Sequence, residues 1–255
     1  MPITIIFAIA ASVFITAAIS GTFGMAGGMI MMVVLLQLLP LTAAIFLHAA
    51  IQLVSNGWRC WLWRKYIVWR ALPVYGLGMM AGFSVVVWTK FIPDKAMVLI
   101  MIGIVPLLAL AVQKTMTLTI HNRIHAFFAA LLLTFVHMTG GVVGALLDLL
   151  FNNTDLTRKE IVATKAFTQG SSHLMRLTYF GALVPLLTGG NAWPDGITAE
   201  AMVLFLAMAI VGTTSAAFIL HRLDDRLFKQ LSRWLIIAVS LYCLGRGVYM
   251  IYSNT

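Results

Sequence analysis

Charged residues are scarce in this chain of 255 residues, and so are acidic residues and cysteines. Only 10% of the residues are charged and 61% are hydrophobic, whereas a soluble domain has about 25% charged and about 45–50% apolar residues. A chain with so little charge cannot cover its surface with polar groups, which excludes an ordinary water-soluble protein. Cys60 and Cys243 lie in or beside apolar segments without metal or redox spacing, which argues against a disulfide framework or a metal site. We expect no metal and no cofactor.

Apolar segments long enough to cross a bilayer, about 17–25 residues each, recur along the chain. These blocks lie near residues 3–20, 29–55, 67–88, 96–112, 124–151, 157–188, 199–220 and 233–252. The sequence therefore predicts an all-α integral membrane protein with about eight or nine transmembrane helices, placed as a multi-pass protein in the inner or plasma membrane of the cell. Block 157–188 is long enough to be two short helices that break near Gly170 or Arg176.

The positive charges are placed like those of a membrane protein and not like those of a nucleic-acid binder. The net charge is +9, but Lys and Arg lie mostly in short connections, which is typical of loops that stay cytoplasmic. Connections 56–66 and 221–233 are the best cytoplasmic candidates, and the acidic connection 188–200 is predicted to be on the outer side. This assignment requires block 157–188 to cross twice. The expected partner is the lipid bilayer, with no nucleic acid, and self-association is left open.

An internal repeat appears when the chain is shifted by 117 residues. The matching pairs are Thr22 and Thr139, Gly24 and Gly141, Gly27 and Gly144, Leu39 and Leu156, Ala49 and Ala166, Gln52 and Gln169, Ser55 and Ser172, and Arg59 and Arg176. Shared Gln, Ser and Arg are informative because these residues are rare inside spans. We interpret residues 1–117 and 118–255 as two repeats of one membrane unit, either inverted or parallel. Internal repeats are a signature of secondary transporters, whose sites lie between the repeats near broken helices.

Two glycine-rich stretches, "GTFGMAGG" and "TGGVVGALL", interrupt the apolar blocks. Broken backbone survives in a membrane only where it is buried in protein or lines a wet cavity, and a helix N-terminus at such a break favours an anion. The other interpretation is close helix packing through small residues. The candidate binding glycines are Gly24, Gly27, Gly28, Gly141 and Gly144.

Each break is followed by a stripe of polar residues at helical spacing. The two stripes are His48, Gln52, Asn56 and Arg59, and Lys165, Gln169, His173 and Arg176. Spacings of three and four residues place each stripe on one face of a helix. Both faces offer donors and positive charge without a carboxylate, so we expect them to bind a small anion, which the planar guanidinium of arginine suits well. Alternatively, both arginines extend to the interface, and His48 is a hydrogen-bonded core residue.

The proton-relay candidates are Asp148, His137 and His48. A charged residue inside a spanning segment usually faces a cavity or a partner. The other interpretation of Asp148 is an ion pair with a basic residue of a stripe. His137 lies eleven residues before Asp148, so the two cannot touch within one straight helix.

These residues resemble the TauE/SafE family of membrane permeases. The resemblance lies in the "GTFGMAGG" break, its echo in "TGGVVGALL", and "ATKAFTQGSSHLMRLTYFG", and it covers essentially the whole chain. The matching positions are Gly21, Gly24, Gly27, Gly28, Gly141, Gly144, Ala163, Thr164, Gln169 and Arg176. The resemblance implies a secondary transporter that exports sulfite or small organosulfonates, proton-linked and with repeats often described as inverted, and it implies no enzyme.

Two other classes of function compete with the expectation of an anion transporter. One is an intramembrane hydrolase that uses Ser171 or Ser172 with His173, although the strand-turn-helix context of a nucleophile elbow is missing. The other is a membrane subunit that transports nothing itself. A site between the two repeats, opened alternately to each side, is the mechanism that we expect for the transporter.

Overall fold

The computed structural model describes residues 1–23, 26–220 and 225–253, and every regular element in these ranges is helical. The helices are α1 (Ile3–Phe23), α2 (Ala26–Leu38), α3 (Leu41–Leu62), α4 (Leu72–Thr89), α5 (Lys95–Val112), α6 (Arg123–Gly140), α7 (Gly144–Asp148), α8 (Arg158–Thr178), α9 (Val184–Thr188), α10 (Ala199–Leu220) and α11 (Asp225–Ser253). Two single 3₁₀ turns, Arg64–Tyr66 and Trp69–Ala71, connect α3 to α4, and a π-helical segment, Tyr179–Leu183, connects α8 to α9.

Seven helices of the described residues are long and apolar enough to cross a membrane, namely α1, α3, α4, α5, α6, α10 and α11. This confirms the prediction of an all-α, multi-pass membrane protein. Helix α2, with 13 residues, is about 20 Å long and is shorter than the hydrocarbon core of about 30 Å. Helix α8 has 21 residues, but its sequence is too polar to be counted as a span by composition.

Two of the predicted apolar blocks are divided differently in the structure. Block 29–55 is two helices, because Pro40 stands at the N-terminus of α3 and a proline disfavours helical backbone in the residue before it. Block 157–188 does not break at Gly170 or Arg176, and it runs as continuous helix from α8 through the π-helical segment into α9. One glycine costs a helix only about 1 kcal/mol, and Gly170 packs against α3, with its Cβ position 3.8 Å from the Asn56 Cβ.

The chain turns back inside the bundle between α6 and α7. Gly141, directly after α6, has a φ of 71°, and the Cβ position of Gly140 lies 3.1 Å from the Met101 Cβ of α5. The Ile120 amide, before α6, donates to the Leu150 carbonyl, after α7, at 2.9 Å. The chain therefore leaves one end of the bundle through α6 and returns to that end. This reversal adds one crossing between the connections at the two ends. The loop assignment made from the sequence needed one additional crossing, which it had placed in block 157–188.

Helices α3 and α8 pack antiparallel to each other. Arg176 of α8 lies beside His48 of α3, and Gly170 lies beside Asn56, further along α3. Helices α5 and α11 are antiparallel as well: the Gly103 position faces the Ser240 carbonyl at 2.7 Å, and the Gly247 position faces the Ala96 carbonyl at 3.1 Å.

Two further pairs of helices run parallel to each other. In the pair of α1 and α10, the Gly212 position lies 3.0 Å from the Ala17 Cβ, and Gly21 packs on Ala216. In the pair of α4 and α6, the Gly78 position lies 3.0 Å from the Ala130 Cβ, and the Gly82 position lies 3.1 Å from the Thr134 Cβ. Glycine at these contacts lets the backbones approach closely, which is how helices associate in lipid.

Candidate functional site

The two polar stripes face each other where α3 packs on α8. Because these helices are antiparallel, Arg176 lies at the depth of His48, whereas Arg59 lies eleven residues beyond His48 on α3. At 1.5 Å per residue this separation is about 16 Å along the helix. The two arginines therefore cannot hold one small anion together, and Arg176 is the one that lies at the centre.

Arg176 is fully buried, with 0% of its surface exposed. Its Nη1 donates to His48 Nδ1 at 3.3 Å, and the guanidinium carbon lies 5.8 Å from the centre of the Phe180 ring. Its Nε and Nη2 have no hydrogen-bond partner among the described residues. A buried cation without its partners is costly, so two donor nitrogens of Arg176 are available to an acceptor that enters the site.

Three histidines from three helices meet beside this arginine. The His173 ring lies 5.4 Å from the His48 ring and 4.4 Å from the His137 ring, between centroids. His48 Nε2 donates to the Gly28 carbonyl at 3.0 Å. Both ring nitrogens of His137 and Nδ1 of His173 have no hydrogen-bond partner in the described part of the chain. In the same ranges, no group of three His, Cys, Asp or Glu side chains is placed to hold a metal ion.

A cavity of about 20 Å³ lies next to the histidines and between the two glycine breaks. A cavity of this size holds about one water molecule. The lining residues are Ser20, Gly28, His48, Gln52, Asn56, His137, Gly141, Val142, Val143, Gly144, Gln169 and His173.

Side-chain amides form the polar wall of the cavity on α3. Asn56 Nδ2 donates to the Gln52 carbonyl at 2.9 Å and to Gln52 Oε1 at 3.4 Å. The Gln52 side-chain nitrogen lies 3.3 Å from the position that a Cβ would take at Gly28. A larger residue at 28 would therefore press on Gln52. Gln169 of α8 lines the same cavity.

The family model described as Sulfite exporter TauE/SafE matches residues 9–243. The chain belongs to the TauE/SafE family. No match was found among curated proteins or among solved structures. TauE/SafE is a transporter family and not an enzyme family, so the chain is a multi-pass membrane transporter of the sulfite or sulfonate type. A small anionic substrate and a lipid bilayer agree with this membership.

The serines that suggested a hydrolase are bound to their own helix in this TauE/SafE protein. Ser171 Oγ donates to the Phe167 carbonyl at 3.0 Å, and Ser172 Oγ donates to the Thr168 carbonyl at 3.0 Å. Such hydrogen bonds within one turn are common for serine in helices. Neither serine is bonded to His173 in the described residues, so the geometry offers no activated nucleophile.

Four of the predicted site residues in the described part of the chain lie outside the group around the cavity, namely Gly27, Arg59, Asp148 and Lys165. Lys165 forms an ion pair with Asp148, which is the structural alternative for that carboxylate. Gly27 packs against Thr16 and Ser20 of α1, so it serves close helix packing. Arg59 is buried, and its Nε and Nη2 have no partner in the described ranges. Gly24 lies outside the described residues.

Three cavity residues of this TauE/SafE protein were not predicted: Ser20, Val142 and Val143. Ser20 directly precedes the first glycine stretch, and extending the break by one residue would have included it. The two valines lie between Gly141 and Gly144 in the turn. Nothing in their side chains distinguishes them from other apolar residues, so only the path of the chain places them at the cavity.

Proposed function

We propose that this TauE/SafE protein exports sulfite or a small organosulfonate by proton-linked alternating access, with the anion bound between α3 and α8. The observation that carries the proposal is the buried Arg176, whose Nε and Nη2 are without a partner in the described residues. A guanidinium presents parallel N–H donors that match two oxygens of a sulfonate. An oxyanion between the breaks would satisfy both nitrogens.

The surroundings of Arg176 support an anionic guest. No Asp or Glu belongs to the described residues that line the cavity, and three amide side chains do, namely those of Gln52, Asn56 and Gln169. Amide N–H₂ groups are neutral donors, which orient oxygen atoms without adding charge. The Lys165 ammonium is already paired with Asp148. Arg176 is therefore the cation that we assign to the substrate.

The packing of the helices supports two inverted repeats. The 117-residue shift places α1 on α6 and α3 on α8, and the order of the remaining long helices then places α4 on α10 and α5 on α11. Under this exchange the parallel pair α1–α10 becomes α6–α4, which is also parallel. The pairs α3–α8 and α5–α11 are exchanged onto themselves and are antiparallel. Repeats of opposite direction produce this arrangement and place a site where α3 meets α8.

The small cavity supports alternating access. Because its volume of about 20 Å³ is less than a sulfonate needs, we infer a closed state that opens when one repeat rocks against the other. The coupled proton is assigned to the histidines, since Asp148 is held in its ion pair with Lys165. Without a negative neighbour in the cavity, Arg176 would bind the anion in each open state.

Flux of sulfite in proteoliposomes tests the site. We predict that Arg176→Gln and Gln169→Ala each reduce the initial rate at least tenfold, because the guest loses a charge-assisted or an amide donor. The matched control is Arg246→Gln, since Arg246 is an exposed arginine on α11 and should keep the wild-type rate. Wild-type flux in both site variants would contradict the assignment, and absence of flux in the wild-type protein would favour a subunit without transport.

A further inference from the structure

The three histidines are not needed to bind the anion, because a guanidinium and amides suffice to hold a sulfonate. We propose that the pair His137–His173 takes up one proton together with the anion, so that the two enter the centre as a coupled unit. This inference rests on the proposed function, and it names the proton site and its coupling to the anion at the same cavity. The step is a proton transfer from a hydronium ion of the solvent to an imidazole nitrogen: an O–H bond of hydronium breaks, which leaves water, and an N–H bond forms.

The charges around the pair prevent a proton from binding alone. Among the described residues, the titratable or charged groups beside the pair are His48, whose ring lies 5.4 Å from the His173 ring, and Arg176, which donates to His48. From α2, the Gly28 carbonyl accepts a hydrogen bond from His48. Helix α5 presents the apolar Met101 and Ile102 beside Gly140. A second positive charge next to Arg176, away from water, is unfavourable until an anion balances it.

The nearest carboxylate on these elements does not change this balance. Asp148 is ion-paired with Lys165, and Lys165 lies eight residues before His173 on α8, about 12 Å along the helix. The pair of opposite charges is neutral as a whole. The charge that would permit protonation of the histidines must therefore come from the guest.

Hydrogen bonding couples the two events in the same direction. A neutral imidazole has one donor and one acceptor nitrogen, an imidazolium has two donors, and a sulfonate oxygen only accepts. Both nitrogens of His137 and Nδ1 of His173 lack a partner in the described part of the chain. Beside a bound oxyanion, a neutral His137 would leave its acceptor nitrogen unsatisfied or facing another acceptor. Protonation turns that nitrogen into a donor.

The geometry assigns the proton to this pair and not to His48. Both ring nitrogens of His48 are occupied, since Nε2 donates to the Gly28 carbonyl at 3.0 Å and Nδ1 accepts from Arg176 at 3.3 Å. His48 therefore has no free lone pair, and its role is to position the guanidinium. The His137 and His173 rings lie 4.4 Å apart between centroids. At this distance, the positive charge of one added proton acts on both rings.

The test measures proton uptake during anion binding to the purified full-length protein. The probe is methanesulfonate, which stays a monoanion between about pH 5 and 9, so any proton must be taken up by the protein. Titration calorimetry in two buffers of different ionisation enthalpy gives the number of protons bound per anion. We expect a value near one, and an affinity that falls about tenfold for each pH unit above neutral, as linkage requires.

Variants locate the proton. The double variant His137→Asn/His173→Asn should bind methanesulfonate with an affinity that no longer depends on pH and without proton uptake. The control His121→Asn changes an exposed histidine and should behave like the wild type. Uptake that persists in the double variant would overturn the assignment, and if that variant fails to fold, the wild-type measurement still decides the coupling.

The two proposals fail in different ways. Wild-type binding with equal affinity at about pH 6 and pH 8, and with no proton taken up, would overturn the coupling and leave the anion site in place. No binding of methanesulfonate or sulfite at any pH would overturn the anion site and the coupling with it.

Discussion

Glycine is required at position 141 for two reasons, the backbone conformation and the space that the site needs. Its φ of 71° lies in the left-handed region, which costs a residue with a side chain about 1–2 kcal/mol. A Cβ at this position would also overlap the Arg176 guanidinium. Gly141 thus ends α6, reverses the chain and leaves the space in which the central cation lies.

A comparison of two glycines separates backbone strain from damage to the site. Gly189 has nearly the same φ, 70°, but nothing lies within 4 Å of its Cβ position. We predict that Gly141→Ala abolishes sulfite flux because the guanidinium is displaced, whereas Gly189→Ala keeps flux. Both variants should lose about 1–2 kcal/mol of stability from the backbone alone, measured by thermal unfolding in detergent. Equal flux in the two variants would contradict the role given to Gly141.

Helical spacing predicted the cavity residues Gln52, Asn56, Gln169 and His173, because one face of a helix can be read directly from the sequence. It could not rank the two arginines. Spacing gives a face but not the relative direction of two helices, and only antiparallel packing places Arg176 at the depth of His48.

At the scale of elements, an ion pair joins the short helix α7 to α8. Helix α7 has five residues, too few to be stable alone. Asp148 at its last position is paired with Lys165 of α8, and their side chains are 24% and 10% exposed. The ion pair therefore ties the returning segment after Gly141 to the helix that carries Arg176.

We predict that Asp148→Asn destabilises the protein by about 1–3 kcal/mol, because Lys165 is left largely buried without its partner. This is less than the 3–5 kcal/mol of a fully buried pair, since Asp148 remains partly exposed. The neutral double variant Asp148→Asn/Lys165→Met should recover most of the stability and retain flux. Unfolding curves and proteoliposome flux check this. If the double variant folds but has lost proton-coupled flux, Asp148 belongs to the proton relay after all.

Individual residues force some boundaries of the elements, although the predicted block 29–55 ran across one of them. Pro40 divides α2 from α3, and the capping box of Thr157 and Glu160 starts α8. The continuity of α8 through Gly170 was not predictable, because it comes from packing on α3 and not from local preference. The π-helical segment Tyr179–Leu183 has no local signal that we recognise.

In the described part of the molecule, the basic residues of the connection after α3 and of the start of α8 lie at one end. The Val68 amide donates to Thr164 Oγ1 at 3.0 Å, which joins the region after Arg64 and Lys65 to the start of α8. Lys159 lies over the Tyr66 ring at 5.2 Å. At the opposite end, the Met1 amino group donates to the Gly196 carbonyl at 3.1 Å, close in sequence to Asp195 and Glu200. Such asymmetry orients membrane proteins, with the basic end in the cytoplasm.

The orientation can be measured by labelling single cysteines in intact cells, after Cys60 and Cys243 are replaced by alanine. Lys114 and Asn191 are exposed residues in the connections at the two ends, and Lys114 belongs to the basic end because Asn153 donates to the Met116 carbonyl at 3.2 Å. Positive charge in short loops retains them in the cytoplasm. We therefore predict that a membrane-impermeant maleimide labels Asn191→Cys in intact cells and labels Lys114→Cys only after permeabilisation. The reverse pattern would place the basic end outside, and the anion would then reach Arg59 from the outside before the central cavity.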